Sequence, residues 1–168
     1  MNFDGIPIWR EYEYSTPAEL NQGVGRVETL IVGGGPIGLA LALDLARKNH
    51  QVTLLNALPF VTRGSKAICF SKRTLDIWDR LGVAERLVEK GVIWEKGKVF
   101  WRDEETPIYE FDLLPVKDQK NPAFINLQQY YVEEYLVERA REFSDLIELR
   151  FKNKVVGIDQ HAKGAQLQ

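Results

Sequence analysis

A single cysteine, two histidines and one methionine stand among 168 residues. One thiol, Cys69, excludes an intramolecular disulfide, and with only His50 and His161 beside it no zinc-ligand spacing can be assembled. No metal is expected, and a reducing cytoplasm is the expected setting. Charge of one sign is also missing: 22 Lys and Arg face 24 Asp and Glu, a formal net charge of -2. That balance argues against nucleic acid and against a polybasic membrane tether. Nor is there a long hydrophobic run. The longest, Leu30 to Leu43, meets Asp44 short of the ~20 residues a bilayer span needs. It also lies too far along the chain, without a basic leader, to be a secretory signal. What remains is 45% apolar, 11% aromatic and 27% charged, the mix of a folded protein whose length suits one domain of roughly 100–200 residues.

Residues 1–26 mix Pro7, Pro17, Gly23 and Gly25 with polar and aromatic residues in no sustained period, and read as an irregular arm. From Val27 the pattern sharpens. Val27, Leu30, Ile31 and Val32 predict a short buried strand that ends at Gly33. Leu39, Ala42, Leu43 and Ala46 then fall at helical spacing, Leu41 and Leu45 add a second apolar stripe, and Arg47 with Lys48 suits the last turn. Such a helix is expected to be buried on more than one side. Gln51 to Leu55 supplies the next strand, so the opening unit is a right-handed strand–helix–strand.

Beyond it, Ser71 can cap a helix running through Leu75 and Trp78 to Leu81, Gly82 can end it, and a second helix from Ala84 to Glu89 stops at Gly91. Antiparallel strands are expected between Trp94 and Leu114, where Tyr109, Phe111 and Leu113 alternate with Glu110 and Asp112 and Lys96-Gly97-Lys98 reads as a turn. Val132, Tyr135, Leu136, Ala140 and Phe143 mark an amphipathic helix between Leu127 and Phe143. Leu146 to Phe151 reads as another buried strand. An edge segment, Val155 to Asp159, and a polar end close the chain. The fold class is α/β, a Rossmann-like βαβ unit with a parallel sheet plus an antiparallel segment.

The glycines Gly33, Gly35 and Gly38 of G-G-G-P-I-G stand as G-x-G-x-x-G after a predicted strand and at the start of a predicted helix, the context that gives this spacing its meaning. Gly33 permits the tight turn, Gly35 lets the backbone approach a pyrophosphate, and Gly38 allows close helix–strand packing. Pro36, at the first helical position, gives up an N–H that has no intrahelical partner, and Ile37 follows in the same turn, whose remaining N–H groups face the phosphates. The fingerprint calls for an acidic residue about 20 residues on, accepting from an adenosine ribose. Asn56 stands there, able to accept through its carbonyl but without the charge that strengthens such a bond.

The segment Gly64 to Gly82, G-S-K-A-I-C-F-S-K-R-T-L-D-I-W-D-R-L-G, together with N-L-Q-Q-Y-Y-V-E-E-Y-L-V-E-R-A from Asn126 to Ala140, resembles FAD-dependent aromatic monooxygenases of the p-hydroxybenzoate hydroxylase type. Within them it is most similar to the branch containing 3-(3-hydroxyphenyl)propionate and phenol hydroxylases. The resemblance implies that residues 27–168 are an FAD-binding domain, incomplete at its C-terminus, in an N-terminal portion of a longer family architecture. It implies that Gly33, Gly35 and Gly38, with Pro36 and Ile37, hold the FAD pyrophosphate, that Asn56 meets the adenosine ribose, and that Lys66 contacts the adenylate end. The family has an acid at Asn56 and arginine at Lys66; lysine keeps the charge but not the planar fork. Arg73 is a substitute cation or a helix-surface arginine. Gln129, or Gln128 by one register, is placed at the flavin's ribityl and phosphate region, although Asn126 and Gln129 also have capping-box spacing.

The reaction so implied is reduction of FAD by NADH or NADPH, activation of O₂, and transfer of one oxygen atom to a small hydroxylated aromatic substrate. No catalytic residue is assigned, and turnover by this chain alone is not expected. Trp94, Phe100, Trp101, Tyr109 and Phe111 are expected in the core rather than in a substrate pocket, and Cys69 as a packing residue. Two other readings stay open: a non-catalytic dinucleotide-binding module, and an interaction domain whose exposed apolar edges drive homo-oligomerisation.

Overall fold

The computed structural model describes the chain apart from residues 1, 4–5, 8–9, 18, 20–22, 24, 65 and 114–117. In chain order it opens with β1 (Asn2–Phe3), β2 (Ile6–Pro7), β3 (Leu30–Val32), α1 (Pro36–Ala46) and β4 (Val52–Leu55). Next come β5 (Cys69–Ser71), α2 (Lys72–Leu81), α3 (Ala84–Lys90), β6 (Val92–Trp94), β7 (Lys96–Val99) and β8 (Tyr109–Asp112). It closes with β9 (Phe124–Asn126), α4 (Gln129–Arg141), β10 (Ile147–Arg150), β11 (Ile158–His161) and β12 (Gly164–Leu167). Two compact units divide these elements: Met1–Arg63 with Leu136–Gln168, and Gly64–Tyr135. Among the described residues no helix is long and apolar enough to cross a membrane.

The first unit is built on a parallel sheet of order β10-β4-β3, with Ile31 opposite Leu54 and Leu149 opposite Leu54 on its other side. A parallel β3–β4 pair requires a crossover, and α1 provides it. Leu39, Ala42, Leu43 and Ala46 are buried along one face of α1, as their spacing predicts. Complete burial of a leucine such as Leu39 or Leu43 contributes about 2 kcal/mol. The second stripe is a correction: Leu41 is 47% exposed and Leu45 half-buried, because α1 packs against the sheet on one side only. Arg47 is the C-cap and Lys48 lies beyond it, paired to Asp44 at 2.7 Å. The first strand starts at Leu30 rather than Val27, and Val27, ahead of it, and Val32, at its last position, are exposed.

The N-terminal arm carries a short antiparallel ladder, β1 with β2, and is then fastened to this unit. The Tyr12 N–H donates to the Pro59 carbonyl at 2.6 Å, and its buried ring stacks on Phe151 with centroids 4.1 Å apart. Arg150, almost wholly buried on β10, donates to the Glu19 carboxylate from one side and to Glu148 at 2.7 Å from the other. The Thr53 hydroxyl adds a 3.3 Å bond to Glu148 across the β4–β10 pair. The Val155 to Asp159 edge is a further correction. Val156 and Gly157 bond to Gln168, and the strand continues past Asp159 to His161 as a β11–β12 hairpin that turns before Gly164 at φ +143°.

In the second unit β9 is the central strand of an antiparallel sheet of order β5-β9-β6. Leu75, Trp78 and Leu81 line one face of α2 and are buried, with the Trp78 ring 5.2 Å from Phe70. Gly82 ends α2 in the left-handed region at φ +83°, and the Val83 N–H closes the end onto the Trp78 carbonyl at 3.0 Å. Ser71 occupies the N-cap position, but its hydroxyl lies 3.4 Å from that of Thr74 and makes no capping bond.

Lys96-Gly97-Lys98 is strand, not turn. Gly97 sits on β7 opposite Phe111 of β8, and a Cβ there would lie 2.1 Å from the Phe111 ring. The glycine makes room for the ring of the neighbouring strand. The aromatics in and beside this ribbon also depart from expectation: Phe100, Trp101 and Tyr109 are 49%, 59% and 60% exposed, and among the described residues β7 and β8 pair only with each other. Cys69 is likewise exposed rather than packed.

The Arg150 bond holds the Glu19 carboxyl below its ordinary value of 4.5. A carboxylate so depressed contributes stability above its unfolded pKa and loses it as pH falls through the folded one. Thermal melts are therefore expected to lose stability below about pH 4.5, with Glu19→Gln flattening that part of the curve. Arg150→Ala is expected to cost about 2 kcal/mol in urea unfolding at pH 7, since it leaves the charge-assisted bonds of Glu19 and Glu148 unmade. In the second unit, Gly97→Val should lower stability by about 1–3 kcal/mol through overpacking, and Phe111→Ala in the same chain should recover part of it.

Candidate functional site

Strands β3 and β4 run parallel and end side by side, so the segments leaving their C-terminal ends are neighbours, the place where open α/β sheets bind ligands. From β3 the chain enters the glycine turn. Gly33 has φ +110°, a conformation that L side chains rarely adopt, and its N–H donates to the Leu55 carbonyl at 2.8 Å, tying the turn to β4. Gly38, in the first turn of α1, presses against the same turn. A Cβ on Gly38 would stand 2.0 Å from the Gly33 carbonyl oxygen.

Gly35 is different. It is the N-cap of α1 in ordinary extended geometry, φ -82°, and a Cβ there would meet nothing within 4 Å. Neither strain nor packing inside the chain asks for glycine at this position. Pro36 opens the helix at its first position, and no acidic residue stands in the first turn. Ile37 is 83% exposed, and its amide and that of Gly38 lie in the turn for which the helix itself offers no acceptor. The helix dipole adds partial positive charge at the same end.

Asn56 follows β4 directly. Its side-chain carbonyl accepts from the Gly34 N–H at 3.3 Å, and its amide donates to the carbonyls of Leu58 and Phe60 at 3.1 and 3.2 Å. The structure thus brings together Gly33, Gly35, Pro36, Ile37, Gly38 and Asn56 within the first unit. Gly34, an unspecified position of the fingerprint, joins them. A Cβ on Gly34 would lie 3.1 Å from the Asn56 side chain, closer than an ordinary contact.

Lys66 and Gln129 belong to the second unit. Lys66 is exposed in the segment entering β5. The Gln129 N–H donates to the Ala67 carbonyl at 3.1 Å and the Leu127 N–H to the Ile68 carbonyl at 2.7 Å, so the start of α4 is stitched to the segment that carries Lys66. The Gln129 side-chain amide donates to Glu133 at 2.6 Å. The capping-box expectation is overturned. Asn126 lies on β9, where its side-chain oxygen accepts from the Trp94 indole at 3.1 Å, and the main-chain carbonyl of Gln128 receives the Tyr131 N–H. Gln128 is half-buried, and Arg73 is exposed near the start of α2.

Comparison with known proteins agrees with this geometry. The family model described as FAD binding domain matches residues 26–168. A flavin-dependent monooxygenase of Mycobacteroides abscessus is 29% identical over 139 residues, covering 79% of this chain and 29% of that protein. Para-nitrophenol 4-monooxygenase of a Pseudomonas species is 26% identical over 132 residues, covering 78% of this chain and 32% of the relative. Among solved structures, the flavin-dependent monooxygenase PieE, in complex with FAD and substrate, superposes with a TM-score of 0.72 at 26% identity over 85% of this chain and 26% of its own. The p-nitrophenol 4-monooxygenase PnpA from Pseudomonas putida gives 0.71 at 25% identity, covering 84% of this chain and 38% of that one. The chain thus spans about a third or less of the curated relatives it matches. With 26–168 matched and the glycine turn in place between β3 and α1, the chain belongs to the FAD-binding domain family of flavin-dependent monooxygenases.

Proposed function

We propose that this chain holds the adenylate and pyrophosphate of FAD in an NAD(P)H-dependent monooxygenase that hydroxylates a small phenolic compound. Gly35 carries the reading. A side chain is absent at Gly35 although its φ is ordinary and no described residue would crowd one there, which fits a backbone that a diphosphate must approach closely. Gly33 and Gly38 keep the turn and helix in contact, the Ile37 and Gly38 amides donate toward the phosphates, and the absence of a first-turn acid leaves the anion unopposed. Asn56 stands at the ribose end, Lys66 supplies the cation for the adenylate, and Gln129 serves the ribityl region. The residues of the first unit fit the cofactor by type and by their place at the ends of β3 and β4, and Lys66 and Gln129, in the second unit, by residue type.

Bound FAD supplies the electron transfer and oxygen chemistry, and the chain's own groups bind, orient and neutralise it. NADH or NADPH as reductant, O₂ and an aromatic ring as co-substrates, a cytoplasmic setting and a homo-oligomeric state complete the proposal. The names of the relatives support the aromatic class, since one acts on para-nitrophenol and another is a probable NADH-specific resorcinol 4-hydroxylase.

The test is a visible absorbance scan of the purified chain after incubation with excess FAD and desalting, with NAD titrated in parallel. Weak FAD binding is expected, seen by titration and partly or wholly stripped by desalting; no binding by titration and no retained flavin from a chain folded by circular dichroism overturns the reading. Two variants separate binding from folding. Gly35→Ala should melt within about 0.5 kcal/mol of the parent yet lose at least about tenfold in FAD affinity, because the methyl occupies the ligand's approach. Gly38→Ala should lose both affinity and about 1–3 kcal/mol of stability, because its methyl meets the Gly33 carbonyl.

A further inference from the structure

The carboxamide of Asn56 is engaged on three sides. Its oxygen accepts from Gly34, and its two amide hydrogens point to the carbonyls of Leu58 and Phe60. Only this orientation satisfies all three partners, since the reverse would set N–H against N–H and oxygen against carbonyls. The main chain of Asn56 is held as well, its N–H by the Arg150 carbonyl at 2.8 Å and its carbonyl by the Asn153 N–H at 3.0 Å. A carboxylate cannot take this place. It has no hydrogen to donate at neutral pH and would set a charged oxygen 3.1 and 3.2 Å from two carbonyl oxygens.

We propose that Asn56 is a positioning residue for the nucleotide turn. Its amide locks the Gly34 peptide and the 58–60 segment in one arrangement, and this chain meets the ribose with a neutral group because the surrounding carbonyls exclude an acid. Aspartate, which would restore the acid of the dinucleotide fingerprint, therefore weakens nucleotide binding instead of improving it. The proposal rests on the FAD-binding reading above.

The experiment titrates FAD, with ADP as competitor, against the parent chain, Asn56→Asp and Asn56→Ala at about pH 8 and about pH 5, with folding followed by circular dichroism. At the higher pH, Asn56→Asp is expected to lose at least about tenfold in affinity for both ligands. The loss should shrink toward the lower pH, because facing carbonyls raise the carboxyl pKa and the protonated form regains a donor. Asn56→Ala should show a loss that does not shrink. Aspartate binding as tightly as asparagine at pH 8, or a loss equal at both pH values, overturns the proposal. Should Asn56→Asp fail to fold, Asn56→Ala decides: unchanged hydrogen exchange at the Gly34 amide, or unchanged FAD affinity, overturns it, and faster exchange with weaker binding supports it. A parent chain that binds neither FAD nor ADP overturns the functional reading and this inference with it.

Discussion

The contact between the first turn of α1 and the carbonyl of Gly33 sets the terms for the rest of the first unit. With only 2.0 Å available where a Cβ on Gly38 would sit, helix and turn meet backbone to backbone. That closeness lets Leu39, Ala42, Leu43 and Ala46 reach the sheet, and it points the open end of the helix past the ends of β3 and β4. Core packing and the aim of the helix N-terminus are thus one requirement here. Loosening the joint would withdraw apolar contact from the core and move the amides of Ile37 and Gly38 together.

Around that joint the chain uses polar groups to hold connections that apolar burial cannot fix. Asn56 ties the glycine turn to the segment after β4, and Arg150 joins the arm, through Glu19, to β10. Each contact links segments far apart in sequence: 22 positions for Gly34 and Asn56, 131 for Glu19 and Arg150. Hydrophobic attraction has no preferred direction. A carboxamide or guanidinium with several committed partners does, so these residues choose one arrangement among many that would bury similar area.

The βαβ unit was legible because its information is local. Glycine spacing, a proline at the first helical position and an apolar run on either side name strand, turn and helix without reference to anything distant, and α2 with Gly82 followed the same logic. Where the outcome depended on a partner elsewhere, local signals misled. Gly97 between two lysines looks like a turn, yet its role is set by the Phe111 ring on the next strand. Asn126 and Gln129 have capping spacing, but strand pairing claims the first. The exposed aromatics of the β7–β8 ribbon show the same limit, since alternation marks a strand without saying whether a second layer covers it. For the site, the residue types were readable at Gly33, Gly35, Gly38 and Asn56. The orientation of the Asn56 amide was not, because it depends on carbonyls of a segment with no regular structure.

The first unit is assembled from both ends of the sequence, with the second unit inserted between Arg63 and Leu136. Thr53 and its partner across the sheet, Glu148, are 95 positions apart. At a ribosomal pace of roughly 5–20 residues per second, β4 leaves the ribosome about 5–20 s before β10 is made to pair with it. During that interval one side of β4 carries unpaired peptide groups flanked by Val52 and Leu54, the composition of an aggregation-prone edge. The inserted unit has no such delay, because among the described residues its strands pair within its own continuous stretch of chain. Newly made chains are thus set to complete the insert before the first unit.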